Sequence, residues 1–264
     1  MAEQNVMHHE AAHHEPENSV WPLVVGLSTI VLIFGLMTAF QWKAQTAGIL
    51  LSGVGVVGIL MGLFGWVSEV YGKKQDVGLS KVAILIFIVS EAALFGGLFG
   101  SYLYAMFPSP QWPPAGTPVG VPPLGFALIL SVFLLSSSAT IHAAESRLEK
   151  GNLGGFKGWL FLTMVLGTLF IAGQVTEWSR LIGGGFTINS NAFGRFFFLV
   201  TGFHGAHVVV GLTIQLFVLL MAMGNKLTAE KHTVAKACGY YWHFVDGIWL
   251  LVLSLIYVLP AARG

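Results

Sequence analysis

The chain has 264 residues, 55% of them hydrophobic and 9% charged, with a mean hydropathy of +0.75 and a formal net charge of +1. A soluble globular domain carries roughly 25% charged residues, so a soluble fold is excluded and a polytopic membrane protein is expected. No basic run exists to serve as a nucleic-acid surface. Cys238 is the single cysteine, which excludes an intramolecular disulfide and a thiolate metal cluster.

Residues 1–19 form a polar tail with four glutamates, four histidines and no Lys or Arg. A secretory signal needs a basic start followed directly by an apolar core, so this tail is not one. His8, His9, His13 and His14 are a compositional hint of metal binding; a solvated tail on the cytoplasmic side accounts for them as well.

Seven apolar spans follow within residues 20–260, at about 20–40, 46–71, 80–107, 122–144, 156–180, 191–223 and 237–259. Each reaches the ~20 residues that a hydrocarbon core of ~30 Å requires. The expected fold is therefore all-α, a seven-helix transmembrane bundle. Basic residues set its orientation. Lys73, Lys74, Lys81, Arg147, Lys150, Lys157, Lys226, Lys231 and Lys236 fall on one side, and Lys43, Arg180, Arg195 and Arg263 on the other. Cytoplasmic loops carry the Lys/Arg excess, which puts the N-terminus inside and the C-terminus outside. The proline-rich loop MFPSPQWPPAGTPVGVPP should be a compact, rigid outer connection and not a helix. Gly53, Gly55 and Gly58, then Gly96, Gly97 and Gly100, are spaced so that helix backbones could approach closely.

Ionisable residues inside a membrane span are functional candidates by default. Glu91, in VAILIFIVSEAALFGGLF, lies about a dozen residues into the third span. A carboxyl there is ionised only with a partner and otherwise stays protonated. It can be a neutral acid bonded to a neighbouring helix, a proton relay or a lipid anchor. His204 and His207 in TGFHGAHV, and His243 and Asp246 in YYWHFVDGIW, are each spaced i, i+3, so each pair shares a helical face. If the last two spans pack antiparallel, the pairs can meet. They could then hold a transition metal, close a hydrogen-bond network between helices or pass protons. Glu177 and Arg180, also i, i+3, suggest an interfacial ion pair. Trp66 and Glu69 close the second span near the inner interface, where an indole commonly sits. His142 and Glu145 end the fourth span beside Arg147.

Together these segments resemble subunit III of the haem-copper respiratory oxidases, most of all of cytochrome c oxidase. The resemblance is carried by Trp21-Pro22, SEAALFGGLF around Glu91, Trp112-Pro113-Pro114, FTINSNAFGRFFFLVTGFHGAHVVVG and YYWHFVDGIWLLVLSLIY, and it covers nearly the whole chain after the tail. It implies two bundles, helices 1–2 and 3–7, separated by a lipid-binding cleft. It also implies a non-catalytic subunit of a proton-translocating oxidoreductase, with no redox centre or metal in this chain. Haem and copper would belong to the partner subunits I and II, and bound phospholipids to this one. Glu91 matches the family's glutamate beside the cleft, a proton or lipid group, and His204, His207, His243 and Asp246 match its motifs in helices six and seven. The implied roles are support of subunit I, proton uptake and guidance of oxygen through the cleft. Where many members have paired tryptophans, an arginine-rich segment and histidines, this chain has FGWVSEVYGKKQDVGLSKV. Lipid contacts at that corner would then use Trp66, Glu69, Lys73 and Lys74.

Two other functions fit the residues. One is the same subunit of a quinol oxidase or of a nitric-oxide-reductase relative; a five-helix chain would favour that reading, and seven spans favour the cytochrome c enzyme. The other is an independent metal-bearing membrane enzyme using His204, His207 and His243. The expected location is the bacterial plasma membrane, with the mitochondrial inner membrane as the alternative.

Overall fold

The computed structural model describes residues 20–40, 44–72, 81–225, 227 and 233–263. It is all-α among those residues, and the chain divides into two compact units, Met1–Val77 and Gly78–Gly264. Among the described residues, six helices are long and apolar enough to cross a membrane. The first helix is apolar over a shorter stretch, Leu23–Ala39. The protein is a multi-pass membrane protein.

The first unit pairs α1 (Trp21–Phe40) with α2 (Gln45–Gly72). The pairing depends on glycines with no side chain to hold the helices apart. A Cβ added at Gly55 would lie 2.6 Å from the backbone nitrogen of Leu32, and one at Gly58 would collide with the Ser28 hydroxyl. In a membrane, where lipid removes the hydrophobic drive between helices, such close backbone approach supplies the packing energy. Gly53 faces open space, as do Gly96, Gly97 and Gly100 of the second unit. The packing role expected of the second glycine group is thus not realised within that unit.

The second unit holds α3 (Lys81–Met106), α4 (Leu124–Glu149), α5 (Leu153–Gly183), α6 (Ala192–Met223) and α7 (Thr233–Val252). The last continues through a π-helical stretch (Leu253–Val258) into a short α8 (Leu259–Arg263). Helix α4 runs past Ala144 to Glu149, so His142 and Glu145 are interior to it. Asn152 caps α5, its Oδ1 accepting from Gly155 N at 2.8 Å. Asn191 caps α6 in the same way through Gly194 N, again at 2.8 Å. Each cap satisfies one of the amides that a helix start leaves free. The Asn191 side-chain amide also donates to Thr117 Oγ1 at 2.8 Å, which ties the proline-rich loop to the start of α6. That loop is non-helical and folds inward: Trp112 is buried and donates to the Tyr102 hydroxyl at 2.9 Å.

Trp242 organises the core. A Cβ at Gly167 of α5 would lie 2.9 Å from its ring, and one at Gly211 of α6 would lie 2.7 Å from it. The indole therefore fills a slot that only glycines leave open, and its Nε1 donates to Ser137 Oγ of α4 at 2.9 Å. Two turns on, Trp249 Nε1 donates to Ser131 Oγ at 2.8 Å. These bonds run α4 and α7 antiparallel and fix the rotation of α7 about its axis.

Candidate functional site

Glu91 and His207 fall into one group, and His142, Glu145, His243 and Asp246 into another, on opposite sides of α7. The first joins α3 to α6. His207 Nδ1 lies 2.8 Å from the Phe203 carbonyl, and its Nε2 lies 3.0 Å from Glu91 Oε2. A carbonyl only accepts, so Nδ1 carries a hydrogen. Nε2 then either accepts from a protonated Glu91 or, on a protonated ring, donates to the carboxylate. Both forms hold the same number of protons and no net charge, an arrangement suited to an apolar surrounding. The pair is not sealed: the His207 and Glu91 side chains are 15% and 21% exposed. Phe95 packs edge-on against the imidazole at 4.9 Å, and the Tyr241 hydroxyl donates to the His207 carbonyl at 3.2 Å.

The second group is a file along the seam of α4 and α7. On α4 it comprises Ser138, His142, Glu145 and Glu149, spaced i, i+4, i+7, i+11; on α7 it comprises Asp246, His243 and Lys236. Both spacings keep one helical face. Ser138 Oγ meets His243 Nδ1 at 2.8 Å, and Lys236 Nζ meets Glu149 Oε1 at 3.0 Å. Between them the Glu145 carboxylate sits directly against Gly239, where any side chain would collide with it. Asp246 is 4% exposed, with Ser138 as its polar neighbour, and neither of its carboxylate oxygens has a well-formed hydrogen bond. From Lys236 to Asp246 the file climbs ~15 Å along α7. His142 and His243 are exposed on the surface of the unit.

The four residues His204, His207, His243 and Asp246 therefore do not form one hydrogen-bonded network. α6 and α7 do pack antiparallel, with Phe197 against Tyr257 and Gly211 against Trp242. The rotation of α7, however, turns His243 and Asp246 toward α4 while His207 reaches α3. His204 is buried against Trp249 and Phe170, with ring centroids at 5.2 and 5.7 Å, and neither of its nitrogens has a hydrogen-bond partner. Among the described residues no group of three His, Cys, Asp or Glu is placed to hold a metal ion. Trp66 and Glu69 belong to α2, but their side chains lie outside what the structure describes, as do Lys73 and Lys74 altogether.

A profile described as "Cytochrome c oxidase subunit III" matches residues 11–260. The chain belongs to that family. Curated relatives called "Cytochrome c oxidase subunit 3" include one from Felis catus, 30% identical over 95% of this chain and 98% of its own. Another, from Thermostichus vulcanus, is 37% identical over 67% of this chain and 86% of its own. A third, from Nocardia farcinica and called "Probable cytochrome c oxidase subunit 3", is 37% identical over the same shares. As a family member, the chain is a non-catalytic subunit III of a cytochrome c oxidase-type complex. Relatives that match only two thirds of this chain while using most of their own length are shorter, yet bear the same name.

The i, i+3 spacing of Glu177 and Arg180 suggested an ion pair, and the structure corrects this. Glu177 is 2% exposed and turned inward. Its Oε2 accepts from the Tyr257 hydroxyl at 2.8 Å and from Gln174 Nε2 at 2.7 Å, whereas Arg180 lies over the Phe126 ring at 5.7 Å from its centroid. Tyr257, in the π-helical stretch, and Ser138 were not foreseen as functional. The serines and threonines amid the apolar run of α4 were the available signal, because hydroxyls in a membrane helix commonly bond across to neighbouring helices.

Proposed function

We infer that this chain is the membrane-embedded support of the haem-bearing subunit I in a proton-pumping cytochrome c oxidase, with a lesser contact to subunit II, and that it carries no electron itself. The observation behind this reading is the α4–α7 file. Five ionisable side chains and a serine leading up to Asp246 would be costly against lipid, and exposed imidazoles at His142 and His243 call for a polar or protein surface opposite. A neighbouring membrane subunit supplies one. Water held along such an interface would also suit the family's role in sustaining proton uptake. The Glu91–His207 pair, partly open and neutral in both proton arrangements, suits a surface lined by phospholipid, through which oxygen could reach the partner. The Lys/Arg asymmetry supports an N-terminus inside and a C-terminus outside, in a bacterial plasma membrane.

A photo-reactive residue placed at His142 in native membranes tests the interface. It should cross-link to the chain that carries haem. Cross-links to lipid alone would remove α4–α7 as the contact. The donor, cytochrome c or quinol, acts on the complex and is identified by which reduced donor drives oxygen consumption by the purified assembly. Haem or stoichiometric copper on the isolated chain would favour an independent metal enzyme instead.

A further inference from the structure

Trp249 and Tyr257 lie fully buried in the core of the second unit, with their ring centroids 6.0 Å apart. Indole and phenol are the two side chains in that core that give up a single electron most readily. They differ in what can take a proton from them. The Trp249 Nε1–H donates to the Ser131 hydroxyl at 2.8 Å, and a hydroxyl is no base. The Tyr257 hydroxyl donates to a carboxylate oxygen, Glu177 Oε2, at 2.8 Å, and Gln174 Nε2 holds that same oxygen at 2.7 Å. Two other tyrosines show the contrast. The Tyr102 hydroxyl receives the Trp112 indole N–H, and the Tyr241 hydroxyl donates to the His207 carbonyl, so neither bond leads to a base. Tyr257 also sits in the π-helical stretch, a backbone irregularity frequent at functional sites.

We propose that Trp249, Tyr257 and Glu177 form a sink for stray oxidising equivalents, in which Tyr257 loses an electron to oxidised Trp249 and its proton to Glu177. The oxidant is an oxygen-derived one-electron oxidant, a by-product class expected wherever oxygen is reduced. It takes one electron from Trp249 and leaves an indole radical cation. Tyr257 passes one electron to that ring while its phenolic proton crosses the existing hydrogen bond to Glu177 Oε2. The indole is restored, the phenol O–H bond is broken, and a neutral phenoxyl radical and a neutral carboxylic acid remain. A one-electron reductant later returns the electron, and Glu177 returns the proton. The physical drive is the removal of charge. A radical cation on an indole packed against Phe170 and His204, with ring centroids at 4.7 and 5.2 Å, is costly in an apolar interior, as is the ionised carboxyl of Glu177. Moving the hole to Tyr257 and the proton to Glu177 leaves both sites uncharged. The electron concerned is not one that passes from donor to oxygen, so the chain stays non-catalytic. The α4–α7 contact with a partner plays no part.

The test uses the full chain, purified in detergent and irradiated at the red edge of indole absorption, where tyrosine does not absorb. A cobalt(III) ammine captures the ejected electron, and the sample is frozen for electron paramagnetic resonance. Ring-deuterated tyrosine separates tyrosyl from tryptophanyl signals. Wild type should give a tyrosyl radical. Tyr257→Phe, which keeps the ring, should lose more than half of that signal, as should Trp249→Phe, whereas Tyr104→Phe should leave it unchanged. Glu177→Gln should convert the trapped signal from tyrosyl to tryptophanyl. Light-minus-dark infrared spectra of the wild type guard against a folding defect in any variant: a protonated-carboxyl band should appear together with the radical. A full tyrosyl signal in Tyr257→Phe, a tyrosyl signal undiminished in Glu177→Gln, or a wild-type radical with no new protonated carboxyl would each overturn the proposal.

Discussion

Helix α7 separates two solutions to the problem of placing charge in a membrane. On the α3–α6 side, Glu91 and His207 close on one another at 3.0 Å, with the second imidazole nitrogen bonded to Phe203. On the α4 side, Asp246 lacks a well-formed bond and the file below it stays open at His142 and His243. The first arrangement is complete within the chain and should survive isolation. The second is incomplete and draws its stability from whatever covers it. The exposed members of the open file, His142 and His243, therefore mark the surface left for a neighbour, whereas the unpartnered His204 lies in the core and marks none.

The largest expected effect breaks both sides together. Trp242→Ala empties the slot between Gly167 and Gly211 and removes the bond to Ser137, so the rotation of α7 is no longer fixed. Truncation of a fully buried tryptophan costs about 3–5 kcal/mol. Thermal unfolding in detergent, followed by circular dichroism, should show that loss, with the haem subunit no longer co-purifying.

Two substitutions of intermediate effect separate the sides. His207→Leu strands Glu91 within the unit and should destabilise the isolated chain by about 1–3 kcal/mol. Asp246→Leu removes a poorly partnered carboxylate, so the isolated chain should be as stable as before or more so. Its cost should appear instead as weaker retention on the haem subunit in mild detergent, and Asp246→Asn should retain more. Equal losses in the isolated chain for His207→Leu and Asp246→Leu would erase the distinction between a closed and an open side.

A smaller effect is expected at Glu91 itself. Glu91→Gln keeps the shape and can donate from its amide to His207 Nε2, so assembly and thermal stability should change by less than about 1 kcal/mol. A hydrophobic carbodiimide, which needs a protonated carboxyl it can reach, should label Glu91 in the wild type ahead of the buried Glu177. Labelling of Glu177 first, measured by peptide mass spectrometry, would contradict the exposure of the pair. The smallest effect belongs to Lys236 and Glu149, a pair with both side chains more than a third exposed. Lys236→Gln should change stability by at most about 1 kcal/mol, and less at high salt.

The sequence alone determined that this is an all-α membrane protein and which polar residues lie within its apolar stretches. Those properties follow from desolvation of backbone and side chains, which depends on composition over a window of ~20 residues and needs no neighbour. It also showed which residues share a helical face, because that depends only on 3.6 residues per turn. Tertiary structure alone decided what each face meets. His243 and Asp246 share a face by spacing, but Trp242, wedged between Gly167 and Gly211 and bonded to Ser137, turns that face to α4 and away from His207. Glu177 and Arg180 were legible as neighbours; only the hydroxyl of Tyr257, brought across by the π-helical stretch, draws the carboxylate inward and leaves the arginine over Phe126. Helical periodicity sets the register along an element, whereas rotation about its axis is set by shape and hydrogen bonds from other elements, distant in the chain.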